Sequence, residues 1–592
     1  MGTQLHKRYS DRESTKQAGQ FVDALKDISQ SGFSNPLGNN TPEEQGILDS
    51  AAAISESLSG GDSLNLPVGF KQFFGEVSAT DRVIIAGGIL DSIAQYEAAH
   101  GQAVPPDLME AASNLLGSFT QQGIHDSLSQ GGIMSITPSQ YNQFLDDATT
   151  SSPDGGSLQA NRAVVAVQNL LTTALPWGGY LPSDINSGEA KLIIVNHQAG
   201  STFGQYAEDA SIDGANSGKR FFDARRTHTV TGDGTTANLT GQLTTIQATS
   251  ETCATVGSGA TAAKLVKGST SVYIQGHKVA KVAIDNEATS QSISGSVVLT
   301  STTYTLSGTI SADTGAFTLT SSPVLPLGID AVIESFIDYN RQPEVIPTLK
   351  LSANKFSLYA RPFRGFMQVG IESLMQIRQE AGIDPLTELN RTLQVQVGNG
   401  KHYRALEYAR RLAKNNSYPA WNMSTWLDSG AQTRSQNMAD ISIPLMAVSQ
   451  QMAIDTNVTG VTHLYVGKVV AAWLQTLVMG GRFVPSGLRN VPQIFRLGRL
   501  DGLYEVYYSP DQTETTDGSG ITTAKILCVG QSGDVARSGI ILGTAIAPIM
   551  LPIGNTFDLK QGVGYMEKTF IEPNPHLPSS KAFAEITLTG LK

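Results

Sequence analysis

The feature of this sequence that most constrains its fold is a change of amino-acid composition between about residues 227 and 322. More than a third of that stretch is Ser or Thr, and it contains no Pro, Met or Trp. Short runs of β-favouring residues alternate there with Gly, Asn and Asp, which are typical of turns. In residues 303–320, large apolar residues alternate with small polar ones on either side of a turn at residues 313–315. The alternating residues are Tyr304, Leu306, Phe317 and Leu319. The pattern predicts an inserted all-β module of about 100 residues, which is large enough to hold its own core.

The segments that flank this stretch have the spacing of helices. Up to about residue 175, apolar residues recur at helical intervals between loops rich in Gly and Pro, which predicts a helical arm. After Pro347 a strand-like run gives way, at about Phe366, to helical spacing that continues to about Leu412. Gly382 and Pro385 predict that this long helix stops and restarts between them.

The last third of the chain alternates strands and helices. Residues 461–466 read as a buried strand that leads into a helix at residues 468–477. Residues 500–508 read as a strand pair with a turn at Asp501 and Gly502. The pattern predicts an α+β protein and excludes a regular repeat array.

Charge and hydropathy exclude several classes of protein. Against 41 Lys and Arg stand 52 Asp and Glu, so the formal net charge is −11, and only 16% of the 592 residues are charged. An acidic chain lacks the clustered cations of an electrostatic nucleic-acid binder. No apolar run approaches the roughly 20 residues that a membrane span needs, and the N-terminal residues show no secretory signal. We expect a soluble protein with no membrane partner.

The residue patterns of known catalytic and metal sites are missing from the sequence. Residues 214–220 are one residue too short for a phosphate-binding loop, and Arg220 stands where that loop needs a hydroxyl. The nine His are scattered without ligand spacing, and Cys253 and Cys528 are far apart and read as buried small hydrophobes. The sequence therefore predicts no enzyme, no cofactor and no metal.

Four separated stretches, in one order, carry a family resemblance. They are residues 350–361 with 369–389, residues 461–474, residues 497–510, and residues 537–568. Together they resemble the major capsid protein of large tailed bacteriophages, the T4-like and giant-phage branch of the HK97 fold. The third stretch is similar to that family's G-x-L-x-G-x-Y-x-V-Y strand pair. One departure is Glu567-Lys568, where the family usually carries an Arg-Tyr pair.

The resemblance implies an HK97-like α+β fold with a spine helix, peripheral and axial domains and an extended E-loop, to which this chain adds the β module and a helical N-terminal region. The expected domains are a helical N-terminal arm or extension (1–160), an N-arm with the first E-loop strand (161–226), the inserted Ser/Thr-rich β domain (227–330), the E-loop return with the spine helix (331–420), the axial domain (421–535) and a closing axial and peripheral segment (536–592).

The implied function is a non-enzymatic one. A major capsid protein self-assembles into the icosahedral head shell that encloses double-stranded DNA, without sequence-specific binding. The implied partners are copies of itself in hexamers and pentamers, together with portal, scaffold, decoration and vertex proteins. The implied location is the virion capsid, assembled in the host cytoplasm. The alternative is a phage tail or adhesin-type surface protein with a carbohydrate-binding β module. Against it, the only aromatic residues of the module are Tyr273, Tyr304 and Phe317, and it has no Trp to stack on a sugar.

The candidate site residues follow from the resemblance and from the distribution of cations. Six cations are candidate inter-subunit contacts, namely Lys219, Arg220, Arg225, Arg226, Arg361 and Arg364. For the last four of these, together with Arg410 and Arg411, contact with DNA phosphate is the rival interpretation. Glu56 ends a loose I-x-E pattern and is a candidate site of maturation cleavage.

Overall fold

A computed structural model describes residues 20, 67–76, 79–118, 167, 170–171, 174–181, 188–257, 259–283, 287–299, 301–381, 385–416, 420–422, 440–512, 514–517, 520–555 and 560–590. The helices are α1 (Val68–Glu76), α2 (Ala79–His100), α3 (Pro106–Ser118), α4 (Ile371–Ala381), α5 (Pro385–Ala413), α6 (Ser442–Thr456), α7 (Lys468–Thr476) and α8 (Leu577–Ser580).

The first strands in chain order are β1 (Gly179–Tyr180), β2 (Glu189–Ala199), β3 (Arg225–Thr231), β4 (Asn238–Gln242), β5 (Ser271–Ile274), β6 (His277–Lys281), β7 (Ser290–Leu299), β8 (Thr302–Ser311), β9 (Ala316–Ser322), β10 (Asp330–Phe336) and β11 (Leu349–Tyr359). The others are β12 (Arg361–Gly370), β13 (Trp421–Asn422), β14 (His463–Val466), β15 (Phe483–Pro485), β16 (Phe495–Leu500), β17 (Tyr504–Tyr508), β18 (Glu514–Asp517), β19 (Gly520–Val529), β20 (Ile540–Asn555), β21 (Lys560–Pro573) and β22 (Phe583–Thr589).

The chain divides into two compact units. Unit 1 is formed by Met1–Ile194 together with Lys355–Lys592, and unit 2 by Val195–Asn354. Unit 2 is therefore an insertion in the sequence of unit 1, and strands β2 and β11, which pair with each other, carry the chain into and out of it.

The described residues of unit 1 form two sheets besides its part of the β2-β11 pair. The larger has the order β13-β22-β19-β14-β17-β16-β15, with β18 paired to β19. Its strands β16 and β17 form the predicted antiparallel pair, and Asp501 and Gly502 both adopt the positive φ that a tight hairpin turn requires. The smaller sheet has the order β1-β20-β21-β12. Since β22 follows β21, the end of the chain contributes to both sheets.

The described N-terminal helices belong to the core of unit 1. Phe70 of α1, Ile89 of α2 and Leu116 of α3 are buried in one apolar cluster with Leu406 of α5 and Phe583 of β22. The sequence predicted helices here correctly, but they share a core with the long helix α5. They do not form an arm that stands apart.

The long helix begins later than the sequence indicates. Residues 361–370 form strand β12, which pairs with β21 along its whole length, so helix begins at Ile371 and not at Phe366. Helix α4 is described to Ala381 and α5 from Pro385. The predicted restart falls on residues 382–384, which lie outside the described residues. Leu374 is buried, as its place on the apolar stripe predicted.

Unit 2 is built on one eight-stranded sheet with the order β3-β10-β5-β6-β7-β8-β9-β4. The predicted hairpin is strands β8 and β9, paired from Ile310 and Phe317 outward. One face of this sheet is buried over the core and the other is exposed, so apolar residues alternate with Ser and Thr along β8 and β9.

The β unit is larger than the predicted limits of 227–330. Strand β3 begins at Arg225 and β10 ends at Phe336. Phe203, Tyr206 and Phe221 lie in the same core as the sheet, although they precede the Ser/Thr-rich stretch. The Ser/Thr-rich composition predicts where the strands lie. It does not predict that apolar residues before the Ser/Thr-rich stretch complete their core.

We expect unit 1 to fold without unit 2 when the excision respects the observed boundary. The Gly200 amide donates to the Thr348 carbonyl across 2.6 Å, so a two-residue Asn-Gly turn in place of residues 201–347 joins neighbouring backbone. All four Trp precede or follow the excised segment, and their fluorescence maximum should therefore remain that of the whole chain. A shift of the maximum to that of solvated Trp would contradict this.

The matched control is excision of residues 227–322. This deletion cuts through β3 and removes both strands that pair with β10 except for the first two residues of β3. The remaining apolar surface of unit 2 is then uncovered, and we expect aggregation.

Candidate assembly surface

Strand β12 is an edge strand whose side chains are mostly exposed. Within the described residues it pairs with β21 on one side and with no strand on the other. Phe366 at its centre is 68% exposed. A ten-residue edge with exposed apolar side chains is a template for pairing with another chain.

The edge strand also carries two of the candidate cations. Arg361 and Arg364 are both exposed. Residues two apart share a face of a strand, so Arg364 and Phe366 lie on one face and Arg361 on the other. Both arginines are thus accessible to another subunit, as the sequence interpretation requires. Their contact with another subunit stays a prediction.

The segments that flank β12 are also poorly covered. In the part of β11 that belongs to unit 1, Tyr359 is 57% exposed. In α4, Met375 and Ile377 are exposed. An edge strand whose neighbours are exposed apolar residues is typical of a surface that a partner covers.

The candidate cations of unit 2 make contacts within the chain. Lys219 is exposed and donates to the Asn216 side chain over 2.9 Å, and Arg220 donates to the Thr227 hydroxyl over 2.9 Å. Arg225 pairs with Glu334 of β10 over 2.6 Å and is partly exposed. These three remain candidates for inter-subunit contact.

Arg226 is a correction to the sequence prediction, because its side chain is fully buried. Its guanidinium lies 4.2 Å from the centre of the Phe203 ring and donates to the carbonyl oxygens of Thr245, Asp223 and Arg225. Burial lowers the pKa of Arg226. A cation committed to three internal carbonyls ties β3 to neighbouring loops and is not an inter-subunit contact.

Two neighbouring substitutions should therefore have different effects. Arg226→Gln leaves buried carbonyl groups without donors and should lower the free energy of unfolding of unit 2 by about 2–3 kcal/mol. Arg225→Gln breaks a partly exposed ion pair and should cost no more than about 1 kcal/mol. Urea denaturation followed by circular dichroism measures both, and equal costs would show that the burial of Arg226 does not stabilise the unit.

A buried ion pair that the sequence did not reveal joins the spine-like helix to the closing hairpin. Lys401 of α5 lies 2.8 Å from Glu567 of β21, and only 1% of the Glu567 side chain is exposed. Glu567 is also the point at which the sequence departs from the pattern of the family that it resembles. The two residues are 166 positions apart, and no local signal joins them.

Other predicted features have mixed outcomes. Cys253 and Cys528 are buried as predicted, and burial raises the pKa of both thiols. Residues 214–220 form a loop with a short 3₁₀ turn at Gly214–Asn216. Glu56 lies outside the described residues.

In the part of the chain that the structure describes, no group of three or more His, Cys, Asp or Glu is arranged to hold a metal ion. The described helices include none that is long and apolar enough to cross a membrane.

Comparison with known proteins gave matches only among solved structures. No family model matches the chain, and no curated protein matches it. The solved structures include the capsid of the jumbo bacteriophage PhiKZ, with 10% identity over 70% of this chain and 92% of that chain and a TM-score of 0.34. They also include the capsid of the Helicobacter pylori bacteriophage KHP30, with 11% identity over 43% and 78% and a TM-score of 0.26.

A further match is an encapsulin complex from Synechococcus elongatus, with 11% identity over 41% of this chain and 78% of that chain and a TM-score of 0.25.

Proposed function

We propose that this protein is a major capsid protein, which self-assembles into the icosahedral head shell of a large tailed phage. The observation that carries the proposal is strand β12, an unpaired edge with Phe366 exposed at its centre. In a monomer, such an edge promotes aggregation, because its backbone groups can pair with another chain. In a protein that assembles with further copies of itself, the same edge can form the contact between subunits. The role is structural and uses no catalytic residue or cofactor.

The architecture supports the same role. Helix α5 has 29 residues, so it is about 43 Å long and stiffens the plate formed by the two sheets of unit 1. We assign the paired strands β2 and β11 to the E-loop and unit 2 to an insertion within it. We propose residues 195–354, the limits of unit 2, as the limits of the inserted β domain. They replace the limits 227–330 that the sequence indicated.

The acidic net charge of the chain supports the role of a shell that encloses DNA without binding it tightly. With a net charge of −11, the shell confines double-stranded DNA without neutralising it and without reading its sequence. Hexamers and pentamers, portal, scaffold, decoration and vertex proteins are the partners of such a shell. The virion capsid is its location, after assembly in the host cytoplasm.

The alternative function, carbohydrate binding by the β module, has less support. Tyr304 and Phe317 are buried in the core of unit 2, so neither ring is available to stack on a sugar. Tyr273 is partly buried.

Electron microscopy of the purified chain, alone and with its scaffold, tests the proposal. Closed shells are the expected result, and monomers under all conditions would oppose it. In the same assay, Arg361→Glu with Arg364→Glu should reduce shell yield at least tenfold, because charge reversal at each repeated contact is unfavourable. Arg411→Glu with Arg489→Glu, two exposed cations outside β12, is the control with the same change of net charge. An equal loss of shells with it would indicate a nonspecific effect of net charge.

A further inference from the structure

Three histidines from distant segments lie close together in unit 1, one of them (His463) buried and the other two partly buried. They are His100 at the end of α2, His402 in α5 and His463 in β14. His100 lies 3.0 Å from the Tyr507 hydroxyl, and His402 lies 3.0 Å from the Tyr465 hydroxyl. The two tyrosine rings are stacked, and the His463 ring lies 5.9 Å from that of Tyr507. We call His100, His402 and His463 the histidine cluster.

Hydrogen bonding at Tyr465 favours a neutral His402. Trp177 Nε1 donates to the Tyr465 oxygen across 2.8 Å, and an indole nitrogen is only a donor. The hydroxyl proton of Tyr465 is then available to His402 Nε2, which accepts it with a lone pair. A protonated His402 would bring a second donor to the same oxygen and leave that hydroxyl proton without an acceptor.

The surroundings of His463 lead to the same protonation state. The Thr462 hydroxyl accepts from the Gln531 amide over 2.9 Å and donates to the Val529 carbonyl over 3.2 Å. His463 Nδ1 lies 2.8 Å from that hydroxyl and completes the network as a donor. This places a lone pair on His463 Nε2, a buried atom with no hydrogen-bond partner. An added proton there would have no acceptor.

The charged groups around the cluster do not favour added protons. Arg496 of β16 is the charged group that acts on His100. Its guanidinium also approaches Gly101, which ends α2 with a positive φ. Glu505 of β17 is already paired with Arg496 over 2.7 Å and with Arg499 over 3.4 Å. The acidic groups that act on Tyr96, whose ring contacts that of His100, are Glu97 of α2 and Asp107 of α3, and Asp107 accepts a hydrogen bond from the Tyr180 amide.

We propose that the histidine cluster is an acid-operated latch, which holds the C-terminal end of α2 against β16 and β17 while its histidines are neutral and releases it when they gain protons. The elements that it joins are the N-terminal helices, the long helix α5 and the larger sheet. Release would separate the N-terminal helices from α5 and from the larger sheet.

The shifts in pKa agree with the geometry. Burial, together with Arg496, lowers the pKa of His100 to about 4. Burial, together with His100, lowers the pKa of His402 and of His463 to about 3. In the released state each would titrate near the ordinary value of about 6.5. Between these values the released state binds more protons, so falling pH favours release, by about tenfold in the opening equilibrium per histidine per pH unit.

Hydrogen exchange measured by mass spectrometry on the full chain tests the latch. Exchange rates of α2 amides are compared at pH 7 and pH 4.5 after correction for the intrinsic pH dependence. In the wild type, protection of α2 should fall by at least a hundredfold at pH 4.5 while β19 and β22 stay protected. The comparison variant carries His100→Asn, His402→Gln and His463→Asn. Its side-chain amides take the places of the hydrogen-bonded ring nitrogens. An amide does not gain a proton at pH 4.5, so protection of α2 should persist.

The control variant is His576→Asn, which removes another histidine whose pKa burial lowers to about 4 but which lies outside the cluster. It should release α2 as the wild type does. If the triple variant does not fold, His463→Asn alone should lower the slope of the logarithm of the opening constant against pH by about one. Full protection of α2 in the wild type at pH 4.5, release by the triple variant at the wild-type pH, or an unchanged slope in the single variant would each overturn the proposal.

Discussion

Lys401→Met should lower the free energy of unfolding of unit 1 by about 3–5 kcal/mol. The substitution keeps most of the volume of the side chain but leaves the Glu567 carboxylate, 1% exposed, without its cation. A buried charge without a partner has lost the attraction that offset its desolvation. Urea denaturation followed by Trp fluorescence measures the cost.

The second half of this experiment separates the pair from simple packing. Lys401→Met with Glu567→Leu removes both charges, and most of the lost stability should return, because apolar residues of similar volume often replace a buried pair at little cost. Arg411→Ala on the same helix breaks the exposed pair with Glu407 and should cost no more than about 0.5 kcal/mol. A cost for Lys401→Met no larger than for Arg411→Ala would mean that solvent reaches Glu567.

The elements that the sequence predicts correctly are those whose pattern is local. The hairpin of β8 and β9 follows from period-two alternation and a turn at residues 313–315. The turn at Asp501 and Gly502 follows from residue types that tolerate positive φ. In both cases neighbouring residues supply the pairing partner, so one segment is enough to predict the structure.

The elements that the sequence does not predict depend on distant partners. Residues 366–370 have helical spacing but form a strand, because β21, about 200 positions away, pairs with them. Arg226 follows another Arg at the start of a strand, and its burial is decided by Phe203 and Thr245, which lie in other loops. The limits of unit 2 were missed for the same reason, since Phe203 and Phe221 complete a core whose strands come later in the chain.

The candidate site shows the same division. Exposed cations at residues 361 and 364 follow from the rule that unpaired charges lie at the surface. The histidine cluster combines three segments, and its one local signal is the spacing of His463 and Tyr465, which places both on one face of a buried strand. The pair of Lys401 and Glu567 has no local signal.

Phe366→Asp should leave a folded protein that does not form shells. Because Phe366 is 68% exposed in the single chain, its replacement there should change stability by less than about 0.5 kcal/mol. If another copy covers β12, the same substitution buries a carboxylate in place of an apolar ring at every contact. The desolvation of that carboxylate costs several kcal/mol, which a pairing with Arg364 on the same face does not repay. Since each shell repeats that contact many times, assembly should fail completely.

Circular dichroism checks the fold of the variant, and sedimentation velocity with electron microscopy checks its assembly. Phe366→Leu is the matched control, because it keeps an apolar side chain on the same face of β12 and should still form shells. Phe366→Asp protein that builds closed shells at the wild-type yield would mean that β12 remains solvated after assembly. The contact between subunits would then have to lie on other exposed apolar residues, such as Met375 of α4, and a charge placed there would become the decisive substitution.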